Sequence, residues 1–245
     1  MNALRNVCLI GCLGASLALP QTTGTPGALQ GLVMDSQGQP IAGAQVTYRR
    51  VVPYVHVGAA VAPAPGEPFA NGIATAGADG AFAVTGLPAG SYTLCASVPS
   101  APYLDPCVWQ QPILVTIAPG STIKPNLVLR KGVFLNLRIN DPLSLLPQAV
   151  DGLWTPRKLL VGVTYGTGAY QGAQSTGVDA AGRDYRLIIP AGVPFKVRVY
   201  SRDVSVADAG GNALPPSAAA PPFQASAGQD QTFTFTVTGP AVKGQ

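Results

Sequence analysis

The sequence predicts an all-β protein: two consecutive antiparallel β-sandwich modules behind an N-terminal signal segment. Three observations predict it. Glycine (29) and proline (24) make about a fifth of the 245 residues, while charged residues make 11%; both depart from the averages of about 12% and about 25%, in the direction that disfavours helical bundles. From residue 28 onwards, short runs of apolar and polar residues alternate between Gly, Pro, Asp and Asn punctuation, the pattern of half-buried strands. A Leu/Ile-Pro-Ala-Gly turn between two such runs occurs twice. With 47% hydrophobic residues and no block of charge, the chain has enough to bury that disorder is excluded.

Residues 1–20 carry one cation, Arg5, then an apolar stretch from Val7 to Leu19 and the small residues Ser16 and Ala18 before Pro20. They read as a secretory signal cut after Ala18. The stretch is shorter than the ~20 residues that span a bilayer, so no spanning helix is expected in the mature chain. Leu9-Ile10-Gly11-Cys12 resembles a lipobox, which makes a lipoprotein anchored at Cys12 the minor alternative.

The clearest strands are 135–140, 195–200 and 232–238, where Leu135, Leu137 and Ile139, then Phe195, Val197 and Val199, then Phe233, Phe235 and Val237 fall on single faces. Further strands are expected at 29–34, 44–52, 72–76, 81–86, 91–97, 112–117, 123–130, 159–165 and 184–189. The repeated unit starts at Gly80 and at Gly182, each followed eight positions on by Pro-Ala-Gly and a new strand. Proline presets the first turn position and glycine supplies positive φ, so tight-hairpin physics explains the recurrence without ancestry. The repeat sets two modules, 28–130 and 132–240, packed closely because no linker separates them. Residues 48–71 and 204–226 are expected to be long loops, of a length that is often functional or mobile.

Within the first module the ordered motifs are Gly31-Leu32-Val33-Met34-Asp35, Gly38-Gln39-Pro40-Ile41-Ala42-Gly43-Ala44-Gln45-Val46, Asp79-Gly80-Ala81-Phe82 and Leu87-Pro88-Ala89-Gly90-Ser91-Tyr92-Thr93-Leu94. Together they resemble the carboxypeptidase regulatory-like family of bacterial exported proteins, over about 70 residues and up to about 130. The resemblance implies a small transthyretin-like or Ig-like sandwich that serves as an accessory, scaffolding or surface module without catalytic residues. The long 48–71 segment and the pair Cys95 and Cys107 depart from that pattern. From residue 132 the likeness is only to β-sandwiches in general.

Once the signal is removed, Cys95 and Cys107 are the only cysteines. In an exported chain they are expected to form a disulfide across the Pro-rich segment 98–106, worth about 3 kcal/mol in the chain-entropy model; two buried free thiols are the alternative. No catalytic constellation is expected. His56, the only histidine, lies in an alternating apolar run and would have to carry any triad or zinc site alone; Glu67 is the only glutamate, and the aspartates form no recognisable pair. No metal, cofactor or phosphate loop is read from the sequence. A Lys131–Asn136 isopeptide crosslink lacks an aligned acid. The charge of +4 is spread along the chain in blocks of at most two, which argues against nucleic acid. Tyr54, Tyr103 and Trp109 are candidate ligand-contacting aromatics, because sugars stack on exposed rings. The function expected is an exported, non-catalytic structural or interaction protein of the bacterial cell envelope or exterior, secreted, periplasmic or on the cell surface. Its expected partner is an envelope protein or another copy of itself. The alternative is a carbohydrate-binding accessory module that takes a polysaccharide.

Overall fold

A computed structural model describes residues 24–57, 60–63, 68–146, 159–166, 168–214 and 223–241. The signal segment with Cys12, Glu67 and parts of both long loops lie outside the described residues. Among the described residues no helix is long and apolar enough to cross a membrane.

The first module runs β1 (Gly27–Asp35), β2 (Gln45–Arg50), β3 (Tyr54–Val57), β4 (Ala60–Pro63), β5 (Asn71–Thr75), β6 (Ala81–Leu87), β7 (Gly90–Ser97), helix α1 (Pro106–Trp109), β8 (Ile113–Ile117), β9 (Thr122–Ile123) and β10 (Asn126–Leu129). One sheet has the order β10-β1-β6, with β9 also on β1; the other has the order β5-β2-β7-β8. The second module runs β11 (Val133–Asn140), β12 (Leu160–Tyr165), β13 (Ala169–Gly172), β14 (Gln174–Asp179), β15 (Gly182–Ile189), β16 (Pro194–Tyr200), β17 (Val204–Asp208), β18 (Ala213–Leu214), β19 (Phe223–Gln224) and β20 (Gln231–Pro240). Its sheets are β14-β15-β11-β20-β17-β18 and β13-β12-β16-β19.

The two modules share one wiring. In each, the first strand sits mid-sheet, antiparallel to the strand that leads into the Pro-Ala-Gly turn and parallel to the module's last long strand: β1 to β10, β11 to β20. The parallel pairing departs from the wholly antiparallel sandwich expected from sequence. It arises because the chain returns to its starting strand only after crossing to the other sheet, so the two run the same way.

The family-like motifs turn out to be turn chemistry. Asp35 Oδ1 accepts from the Gln37 and Gln39 amides, both at 2.9 Å. Asp79 Oδ1 accepts from the Ala81 amide at 3.0 Å, and the buried Tyr92 donates its hydroxyl to the Pro88 carbonyl at 2.8 Å. Asp179 repeats the Asp79 role, accepting from the Ala181 amide at 2.8 Å.

Each module has its own core. Leu29, Val33, Tyr92, Leu94 and Leu127 centre the first, and Leu135, Ile139, Phe195, Val197 and Phe235 the second. The strongly alternating strands therefore face inward as the sequence requires. Two expectations are corrected. The 48–71 segment is not simply a loop, since β3 and β4 form a hairpin within it, and the 204–226 segment contributes β17, β18 and β19. Proline and glycine masked the pattern in both, and strands of two to five residues are too short to show a period.

Candidate functional site

The segment after β7 cannot continue as a strand, because Pro99, Pro102 and Pro106 remove amide donors at short intervals. Instead Asp105 caps one helical turn. Its Oδ1 accepts from the Cys107 amide at 2.8 Å, its carbonyl accepts from the Val108 and Trp109 amides, and Pro106 stands at the first helical position, where a missing N–H costs nothing. Burial raises the Asp105 carboxyl above its ordinary range, and the Cys107 amide partly offsets that.

The disulfide Cys95–Cys107 then ties α1 to the outer face of β7, with Cα atoms 5.4 Å apart. From that tether Trp109 reaches into the second module. Its ring lies 5.2 Å from Tyr165 and 5.8 Å from Phe195, the latter edge-on at 83°. Before α1, the Leu104 amide donates to the Arg130 carbonyl at 2.9 Å and the Gly132 amide to the Pro102 carbonyl at 2.6 Å, while Tyr103 bridges to Lys131. The segment thus binds the short connection between the modules on one side and the second core on the other. Gly132 is the point of closest approach: a Cβ there would lie 2.6 Å from the Ile189 carbonyl oxygen and 2.7 Å from Leu104 Cδ2.

Beside this junction an inter-module groove of about 410 Å³ is lined by Tyr103, Asp105 and Trp109 from one module and Phe134, Gln171 and Arg186 from the other. Arg186 donates through Nε to Asn136 Oδ1 at 2.9 Å and sits 4.8 Å above the Phe134 ring. The groove holds one carboxyl, already engaged as a helix cap, so it is not a paired-carboxylate site. Among the described residues, the ligand atoms of Cys95, Asp105 and Cys107 come within 4.8 Å of one another. Sulfurs bonded to each other are not thiolates, so one carboxylate is left and a cation does not fit.

The three aromatics singled out from sequence are not brought together. Tyr103 and Trp109 share the junction and its groove. Tyr54 stands elsewhere, 57% exposed at the foot of the β3–β4 hairpin, in a hollow of about 550 Å³ that also includes Arg49, Phe69, Asn71 and Thr93. His56 lies on β3 opposite Val61; its side chain is outside the described residues. Phe69 and Asn71 were not singled out from sequence; the strand register places Asn71 in one row with Arg49 and Thr93, and Phe69, two residues before it, lines the same hollow.

No family model and no curated protein matches this sequence. Solved structures with some likeness include the Bacillus anthracis TIE protein (12% identity, TM-score 0.33, 88% of this chain and 34% of that one). A Streptococcal ancillary pilin is similar at 13% identity and TM-score 0.38, covering 89% of this chain and 63% of that one. Hydroxyquinol 1,2-dioxygenase from Pseudomonas putida is similar at 13% identity and TM-score 0.32, over 45% of this chain and 58% of that one. The chain spans between about a third and two thirds of the length of these proteins.

Proposed function

We propose that this chain is an exported, non-catalytic structural or interaction protein of the bacterial cell envelope or exterior, in which two sandwiches act as one stiff unit. The observation that supports this most strongly is the disulfide-braced junction. Cys95–Cys107 holds α1 on the first module while α1 seats Trp109 against Tyr165 and Phe195 of the second. A disulfide of this kind persists in oxidising compartments and is rare in the cytosol, which fits export. The resemblance of the first module's motifs to the carboxypeptidase regulatory-like family fits an accessory or scaffolding role. Those motif residues are occupied with turns rather than with a site.

Chemical cross-linking on intact cells, followed by mass spectrometry of the joined peptides, tests the proposal. Cross-links chiefly between copies of this chain identify an assembly subunit, and cross-links chiefly to another envelope protein identify an accessory module. Recovery from the cytosol, with both cysteines open to alkylation without reductant, would sink it.

A further inference from the structure

The hollow at the foot of the β3–β4 hairpin is built differently from the rest of the surface. β2 runs between β5 and β7, and the register sets Arg49 opposite Asn71 on one side and Thr93 on the other. An amide, a guanidinium and a hydroxyl therefore stand abreast across three strands on the sheet's outer face. Two aromatic rings rise beside them, Tyr54 at 57% and Phe69 at 71% exposure, around a space of about 550 Å³.

Arg50 holds this arrangement in place. Its Nε and Nη2 donate to the Ala89 carbonyl at 3.2 and 3.0 Å, its Nη1 to the Pro68 carbonyl at 3.1 Å, and its amide to the Ala70 carbonyl at 2.7 Å. The chain on both sides of Phe69 is thereby fixed to the Pro-Ala-Gly turn, so the exposed ring does not depend on its own packing to keep its position. Arg50 is a positioning residue and Arg49, one residue earlier and exposed, faces the solvent side.

We infer that this hollow binds a carboxylated sugar polymer. The Arg49 guanidinium would take a uronate carboxylate in forked geometry, the Tyr54 and Phe69 rings would carry pyranose faces, and Asn71 and Thr93 would meet ring hydroxyls. Thr93 already donates to the Arg49 carbonyl at 3.2 Å and keeps its acceptor capacity. Strand addition by a peptide would have to use the free edge of β5, since β2 is paired on both sides; the row of Arg49, Asn71 and Thr93 lies on the sheet face instead, where a ligand is read through side chains. This role is separate from the structural one proposed above and stands or falls without it.

The test uses the full exported chain in affinity electrophoresis through gels containing polygalacturonate, its fully methyl-esterified form, or poly-L-glutamate. Retardation by polygalacturonate that fades with salt, and weaker retardation by the ester, is expected. Arg49→Gln and Phe69→Ala should each weaken binding about tenfold, the first by losing a charged hydrogen bond and the second by losing a stacking ring, with unchanged melting midpoints. Lys124→Gln, on the exposed β9–β10 connection, should bind as the parent does. No retardation, equal binding of the ester, undiminished binding by Arg49→Gln, or an equal loss in Lys124→Gln overturns the inference. Equal retention by poly-L-glutamate overturns the sugar class, since the hollow would then be reading charge alone.

Discussion

Gly80 has φ +74°, and a methyl group there would run into the Val33 carbonyl oxygen and come within 3.1 Å of Pro40 Cβ. Both the dihedral and the close approach exclude a side chain, which is why the Asp-Gly turn has its glycine. Gly80→Ala is expected to cost about 2 kcal/mol, measured by urea unfolding of the oxidised chain; a difference near zero would mean that the turn can relax. On the opposite module, Arg138 forks onto Asp179 at 2.9 and 2.8 Å and reaches Asp184 at 3.0 Å. The Arg138 hydrogen bond, with help from the Ala181 amide, holds the Asp179 carboxyl down at about 2 from 3.8. Because the folded value is the lower one, this pair contributes stability above about pH 3.8 and loses it as pH falls toward 2. Arg138→Gln should move the Asp179 midpoint back up toward 3.8, read by NMR titration of its carboxyl carbon. The turn aspartates were legible in the sequence, since Asp35 and Asp79 act within a few positions of themselves, whereas the close approach that requires Gly80 comes from Val33 and Pro40, at least 40 positions earlier. Arg50 was not: its partners lie 18 and 39 residues away.

Among the elements, legibility followed burial. β11, β16 and β20 each press one face on the core, and the alternation that follows from this marks them in the sequence. β14 is an edge strand exposed at nearly every position, so no period survives to be read. The element with the largest consequence, α1, is four residues long and has no amphipathic pattern; its cysteine was evident, its reach into the second module was not. Removing the Trp109 ring should cost about 3 kcal/mol, near the low end for a large aromatic because it is only partly buried. Replacing both cysteines by serine should cost about 3 kcal/mol through the twelve-residue closure. Urea unfolding curves of Trp109→Ala and of the double serine variant measure both. A loss well under 1 kcal/mol for Trp109→Ala would show that α1 merely rests on the second core.

For the whole molecule, the junction decides whether two cores behave as one. Scanning calorimetry of the oxidised chain should show a single transition, and Trp109→Ala under reducing conditions should show two, as each core melts alone. Two transitions in the oxidised parent would mean that the modules are uncoupled. Among the described residues the four larger sheets end at β5, β6, β8, β10, β13, β14, β18 and β19, and an edge of this kind is where another chain can add. The recurring turn motif was legible; the contact between the two cores was not, because it depends on a wedge whose partners, Tyr165 and Phe195, lie 56 and 86 positions further on.

The parallel pairing of opening and closing strands has a mechanical meaning. Tension applied to the chain ends enters the second module through β11 and leaves through β20, which share six register pairs side by side. Pulled in opposite senses, those pairs slide past one another under shear and must break together. An unzipping hairpin gives way one bond at a time. The first module meets the load in the same way through β1 and β10. A chain built so resists stretching better than its equilibrium stability alone would suggest.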